Sequence, residues 1–69
     1  MLELYRNIRS RRNELHLTQT ELAKRLGYAD KSMISKIEKG EIDLQISRIM
    51  DIAKALEIKP AVLVGWIDA

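Results

Sequence analysis

The residues best placed to do chemistry in this chain are Lys31, Ser32, Ser35 and Lys36, within the stretch DKSMISKIEKG that runs from Asp30 to Gly40. Ile34 and Ile37 stand at i, i+3 spacing and turn inward if the stretch is helical, with Met33 assisting, so the lysines and serines share the outward side. An ammonium group donates to guanine O6 and N7, whereas a serine hydroxyl is permissive and discriminates poorly. A short helix with such a row is a device for placing side chains in the major groove of DNA. The alternatives are a solvated helix face, or lysines that touch phosphates only.

The elements that must position this row can be read on both sides of it. Thr18 stands three residues before Glu21, the T-x-x-E spacing of a capping box, so a helix starts there. Leu22, Ala23 and Leu26 form its buried face, and Gly27 ends it. Tyr28 to Asp30 make the turn, with Asp30 the natural N-cap of a third helix, Lys31 to Lys39, closed by Gly40. Two short helices joined by a tight turn, the second polar on its outer side, form a helix-turn-helix.

Around this unit the chain reads as helix throughout. Leu2, Leu4, Tyr5, Ile8 and Leu15 suit one face of a first helix, and His16 ends it near a left-handed position. After the loop Glu41–Gln45, a fourth helix from about Ile46 to Leu56 has the inward set Ile46, Ile49, Met50, Ala53 and Leu56. Pro60 suits the first position of a fifth helix running to about Val64, and Gly65 ends it. No segment alternates with period two for long enough to be a strand. The expectation is an all-α fold in a single domain, residues 1–69.

Sixty-nine residues make a marginal core, so stability should come from tight helix packing or from dimerisation. The absence of cysteine removes disulfides and thiolate zinc sites, and fits a reducing cytoplasm. Residues 1–17 are too charged for a signal peptide, and no apolar run has the length of a membrane span. A cytoplasmic protein with no membrane partner is expected. The first forty residues hold nine Lys and Arg against five acids, the remainder three against five, so a polyanion would meet the front of the protein. His16 is the single histidine, and no nucleophile–base pair, metal-ligand spacing or glycine-rich phosphate loop is present. The expectation is therefore no enzyme, no metal and no cofactor. A helical protein-interaction module without DNA specificity is the competing class.

The order LTQTELAKRLG, SMISKIEKGE and IMDIAKALEIKPAVLVG resembles the Cro/CI, or XRE-type, phage-repressor family of helix-turn-helix proteins, from about Ile8 to Gly65. The resemblance implies a lambda-repressor-like bundle of five helices in which helices two and three meet DNA. It implies base reading by Lys31, Ser32 and Lys36, with Ser35 between them. It implies phosphate contact by Gln19 and by Lys39 and Gly40, to which Arg9 and Arg11 on helix one add basic side chains. Arg12 and Glu38 match a family pair that joins helix one to helix three and orients the reading helix. Most family members have one residue fewer than Gly27 to Ile34, so the turn Tyr28–Asp30 is longer here. Lys59 replaces the usual Ser or Thr before helix five, which predicts a poorly capped helix.

Leu63, Val64, Trp66 and Ile67 are a dense apolar group near the C-terminus. They fit a homodimer interface, or Trp66 folded onto its own core. The resemblance implies a dimer on a pseudo-palindromic duplex operator. A repressor, an antitoxin with a toxin partner and a restriction-modification controller share these features.

Overall fold

All five helices among the described residues stop in the same way. The structure, a computed structural model, describes residues 2–68. Its helices are α1 (Leu2–Glu14), α2 (Gln19–Arg25), α3 (Ser32–Glu38), α4 (Ile46–Ala55) and α5 (Pro60–Leu63), with no strand among the described residues. After each comes one residue with positive φ: His16 (58°), Gly27 (80°), Gly40 (73°), Glu57 (56°) and Gly65 (86°). In each case two backbone N–H groups fold back onto the last turn, as when Tyr28 donates to the Ala23 carbonyl at 2.9 Å and Gly27 to Lys24 at 3.2 Å. This double bond pattern satisfies carbonyls that a helix end otherwise leaves without partners. Three of the five positions use glycine, which adopts the left-handed conformation freely. His16 and Glu57 adopt it at a cost.

The N-termini differ. Thr18 closes the expected capping box: its hydroxyl accepts the Glu21 N–H at 3.0 Å and its own N–H donates to the Glu21 carboxylate at 2.9 Å. The Thr18 backbone N–H and, after it, the Thr18 hydroxyl hold the Glu21 carboxyl below the usual carboxylate range. Lys59 gives α5 no side-chain cap, as its sequence predicts. The regular part of α3 starts at Ser32, one residue later than expected. Asp30 still does the capping chemistry, accepting the Ser32 N–H at 2.8 Å.

Leu4, Tyr5 and Ile8 of α1 pack with Leu22 and Ala23 of α2, Ile34 and Ile37 of α3, and Leu63 of α5. The Leu2 side chain, expected on the same inner face, lies outside the described residues. On α4 the inward set differs from expectation: Ile49, Ile52, Ala53 and Leu56 are buried, while Ile46 is 76% and Met50 55% exposed. The helix carries two overlapping apolar stripes, and periodicity does not choose between them. Burying the stiff Ile52 costs roughly 1 kcal/mol less side-chain entropy than burying Met50.

Candidate nucleic-acid interface

The helix-turn-helix unit is held at its centre by one ion pair. Arg12, in the last turn of α1, donates through Nε to Glu38 Oε2 at 2.7 Å and through Nη2 to Oε1 at 3.1 Å. Its Nη1 donates to the Leu17 carbonyl at 2.7 Å. The two side chains are 11% and 5% exposed, so this is a nearly desolvated, two-pronged pair. Gln19, at the start of α2, donates from Nε2 to the same Glu38 Oε1 at 3.2 Å. Three helices thus converge on one carboxylate at the end of α3. Desolvation offsets much of the attraction in such a pair, and its clearest consequence is a fixed orientation for α3 against α1 and α2. The amide hydrogen atoms of Gln19 are therefore shared with the fold, a constraint on the phosphate contact expected of it.

The outer side of α3 is open. Lys31, Ser32, Ser35, Lys36 and Lys39 line one shallow groove, with Asp30 and Glu41 at its edges. Lys31, Ser32, Lys36 and Lys39 are exposed and Ser35 is half-buried. None of the three lysines forms a salt bridge among the described residues. A second groove joins Arg9, Arg12, Gln19, Ser35, Glu38 and Lys39, so Arg9 lies on the same side as the row. The Ser32 hydroxyl and, after it, the Ser32 backbone N–H hold the Asp30 carboxyl below the usual range, with a smaller contribution from Lys36. Behind the row, the Gly40 backbone lies against the Tyr5 ring: a Cβ there would stand 3.1 Å from Tyr5 Cδ2. The Tyr5 hydroxyl donates to the Ile42 carbonyl at 2.9 Å. The longer turn is held from outside by Arg48, whose guanidinium lies 4.9 Å from the centre of the Tyr28 ring.

Two expectations are corrected. Arg11 was expected near phosphates, but its Nε donates to the Leu56 carbonyl at 2.9 Å and its Nη2 to the Glu57 carbonyl at 3.1 Å. It caps the C-terminus of α4. At about 100° per residue it projects some 160° around α1 from Arg9. Leu63 was expected at a dimer surface, but it is fully buried in the chain's own core. Val64 is half-buried against that core. Trp66 does not fold back: it is 82% exposed, and Ile67 is 52% exposed. Contacts that the sequence did not announce include Asn7 to the Leu63 carbonyl, Arg25 to the Ala55 carbonyl, and the bond between Ser32 and Asp30. The last had a signal, since an acid two residues before a serine at a helix start is a recurrent side-chain turn.

A short helix, a tight turn and a second helix with a cationic outer row, locked by a buried ion pair, define a helix-turn-helix protein. The helix-turn-helix family model matches residues 8–63, and the chain belongs to that family, in its XRE or Cro/CI type. It is a DNA-binding regulator of that type. Solved structures similar to it include two regulators. One is the P22 c2 repressor protein in complex with a synthetic operator, 30% identical, with a TM-score of 0.76 over 87% of this chain and 89% of that one. The other is the restriction-modification controller protein C.AhdI from Aeromonas hydrophila, 29% identical, with a TM-score of 0.81 over 90% of this chain and 92% of that one. No curated protein sequence matches the chain.

Proposed function

We propose that this protein is a repressor that occupies a pseudo-palindromic operator as a homodimer, with α3 of each copy in the major groove. The observation that carries this reading is the unpaired row Lys31, Lys36 and Lys39 with Ser32 and Ser35, on a helix fixed by Arg12–Glu38. The lysines read guanine O6 and N7 or bind phosphates. Arg9, Lys39 and the backbone at Gly40 bind phosphates, and Gln19 adds a contact at the start of α2. The similarity to a repressor bound to its operator supports the same mode of docking. Trp66 and Ile67 are the exposed apolar residues that a second copy would cover, with the edge of Val64. Similarity to the controller protein favours a second reading, in which the same interface governs a restriction-modification operon.

Selection of bound sites from a random DNA pool tests the proposal. A pseudo-palindrome is expected, with half-sites about 34 Å apart, one helical turn. Lys36→Ala is expected to weaken binding and relax one position of each half-site, and Gln19→Ala to weaken all duplexes about equally. Trp66→Ser is expected to leave a monomer in sedimentation velocity. Lys36→Ala binding every duplex as the parent does would remove that side chain from the reading row.

A further inference from the structure

We propose that Arg48 and Tyr28 form a clamp that sets the tilt of α3, so that Arg48, on a helix outside the helix-turn-helix, is a positioning residue for base reading. The clamp's role rests on α3 lying in the major groove as proposed above; the clamp decides how that helix meets the bases.

α3 has seven residues, Ser32–Glu38, and is therefore about 10 Å long. Its end is pinned where Arg12 and Gln19 meet Glu38. A rod pinned at one end still pivots. A tilt of roughly 10° about Glu38 moves the start of the helix by about 2 Å, near half the ~3.4 Å rise of a base pair, and moves Lys36 by only about 0.5 Å. A hydrogen bond tolerates a spread of ~0.5 Å, and the short Ser32 side chain cannot make up the difference. The start of α3 needs an anchor of its own.

The segment 26–31 leads from α2 to α3, and Ala29, Asp30 and Lys31 in it are exposed. Beyond Gly27, Tyr28 is the residue of this segment whose side chain packs against the core. Its backbone N–H closes the end of α2 on the Ala23 carbonyl at 2.9 Å, and its ring lies under the Arg48 guanidinium, 4.9 Å from the ring centre. The negative ring face attracts the cation, and the planar guanidinium stacks on it. Arg48 is itself held, with Nη1 3.6 Å from Asp51 Oδ2 one turn along α4. The clamp thus ties α4 to the turn, and Asp30 caps α3 two residues after Tyr28. Arg48 lines a groove with Arg25, Leu26, Asp51, Lys54 and Ala55. That groove shares no residue with the two that hold the lysine row, Arg9 and Gln19. The effect of Arg48 on DNA therefore passes through Tyr28.

The test measures operator and random-duplex affinity over a salt series, and repeats the random-pool selection, for Arg48→Met, Tyr28→Leu and the double variant. A cation over a half-exposed ring favours the held arrangement about two- to fivefold, so each single variant should lower the operator-to-random ratio by that factor. The double variant should fall no further than either alone. Tyr28→Leu changes no charge, so a loss it shares with Arg48→Met is not lost long-range attraction. The salt slope should match the parent throughout. The motif should relax at the positions met by Lys31 and Ser32 and stay sharp at the position that Lys36→Ala relaxes. Arg48→Lys and Tyr28→Phe keep the cation and the ring, and should keep most of the ratio. If Tyr28→Leu does not fold by circular dichroism, Asp51→Asn, which frees the guanidinium and leaves both partners in place, should relax the same positions. Arg48→Met lowering both affinities alike, with the salt slope reduced by about 1, makes Arg48 a phosphate contact and overturns the proposal alone. A motif that stays unchanged, or relaxes evenly along α3, overturns it as well. A parent chain that selects no motif overturns the groove placement and the clamp's role together.

Discussion

Removing the carboxylate of Glu38 is the perturbation whose size the structure fixes best. In Glu38→Ala, Arg12 loses both bonds to Oε1 and Oε2 and keeps only its bond to the Leu17 carbonyl. Gln19 loses its partner as well. The guanidinium stays charged in a site where Arg12 is 11% exposed, so water replaces the carboxylate poorly. Breaking a buried pair from one side costs about 3–5 kcal/mol. A chain of 69 residues has a total stability of roughly 3–10 kcal/mol, so this loss is a large fraction of it. With a urea dependence of ~1 kcal/mol per molar for so small a domain, the midpoint should fall by about 3–5 M. Far-ultraviolet circular dichroism is the suitable probe, because the exposed Trp66 changes environment little on unfolding. The double variant Arg12→Met with Glu38→Leu removes both charges and is expected to lose less than Glu38→Ala alone. A Glu38→Ala loss of ~1 kcal/mol or less, the value of an exposed pair, refutes the claim that a desolvated carboxylate locks α3.

Further outcomes follow from other parts of the structure. Asp30 and Glu21 have carboxyl groups held below the usual range, so their contribution is complete above that range and is lost as pH falls through and below it. Melting temperature should therefore drop on acidification, and the double variant Asp30→Asn with Glu21→Gln should show a flatter profile. Glu57 sits at φ 56° with its side chain mostly in solvent, so Glu57→Gly should stabilise the chain by about 0.5–1 kcal/mol in urea unfolding. His16→Gly should gain less, because histidine tolerates that conformation better. Arg9→Ala should reduce affinity for every duplex and lower the salt slope by about 1 without changing the melting temperature. Arg11→Ala should do the reverse, lowering stability with DNA affinity retained, since its guanidinium is spent on the carbonyls of Leu56 and Glu57.

The parts of the fold that depend on local chemistry were legible in the sequence. Thr18 with Glu21, the three capping glycines, Pro60 and the inward isoleucines of α3 each act within one helical turn, and each stands where it was expected. The features that escaped depend on what lies across the fold. Ile52 and Met50 are both apolar and offer equivalent periodicity, so only packing separates them. Arg11 and Arg9 are equally basic on one helix, and only the position of the α4 C-terminus assigns Arg11 to its carbonyls. Glu57 gives no sign of a left-handed residue, since the conformation that closes α4 runs against its own preference. At the candidate interface the residue types were legible, but their hydrogen bonds were not. Ser32 looks permissive in the sequence, and its hydrogen bond to Asp30 depends on how the turn brings the two side chains together.

The most direct test of the central claim is fluorescence anisotropy of the full chain on its selected operator and on a random duplex of equal length, over a series of salt concentrations. The account predicts that the operator binds ~10³-fold or more tightly at physiological salt, and that log affinity falls linearly with log salt on both duplexes. Equal affinity for the two duplexes, or binding indifferent to salt, would contradict a reading helix that carries Lys31, Ser32, Ser35 and Lys36 into the major groove.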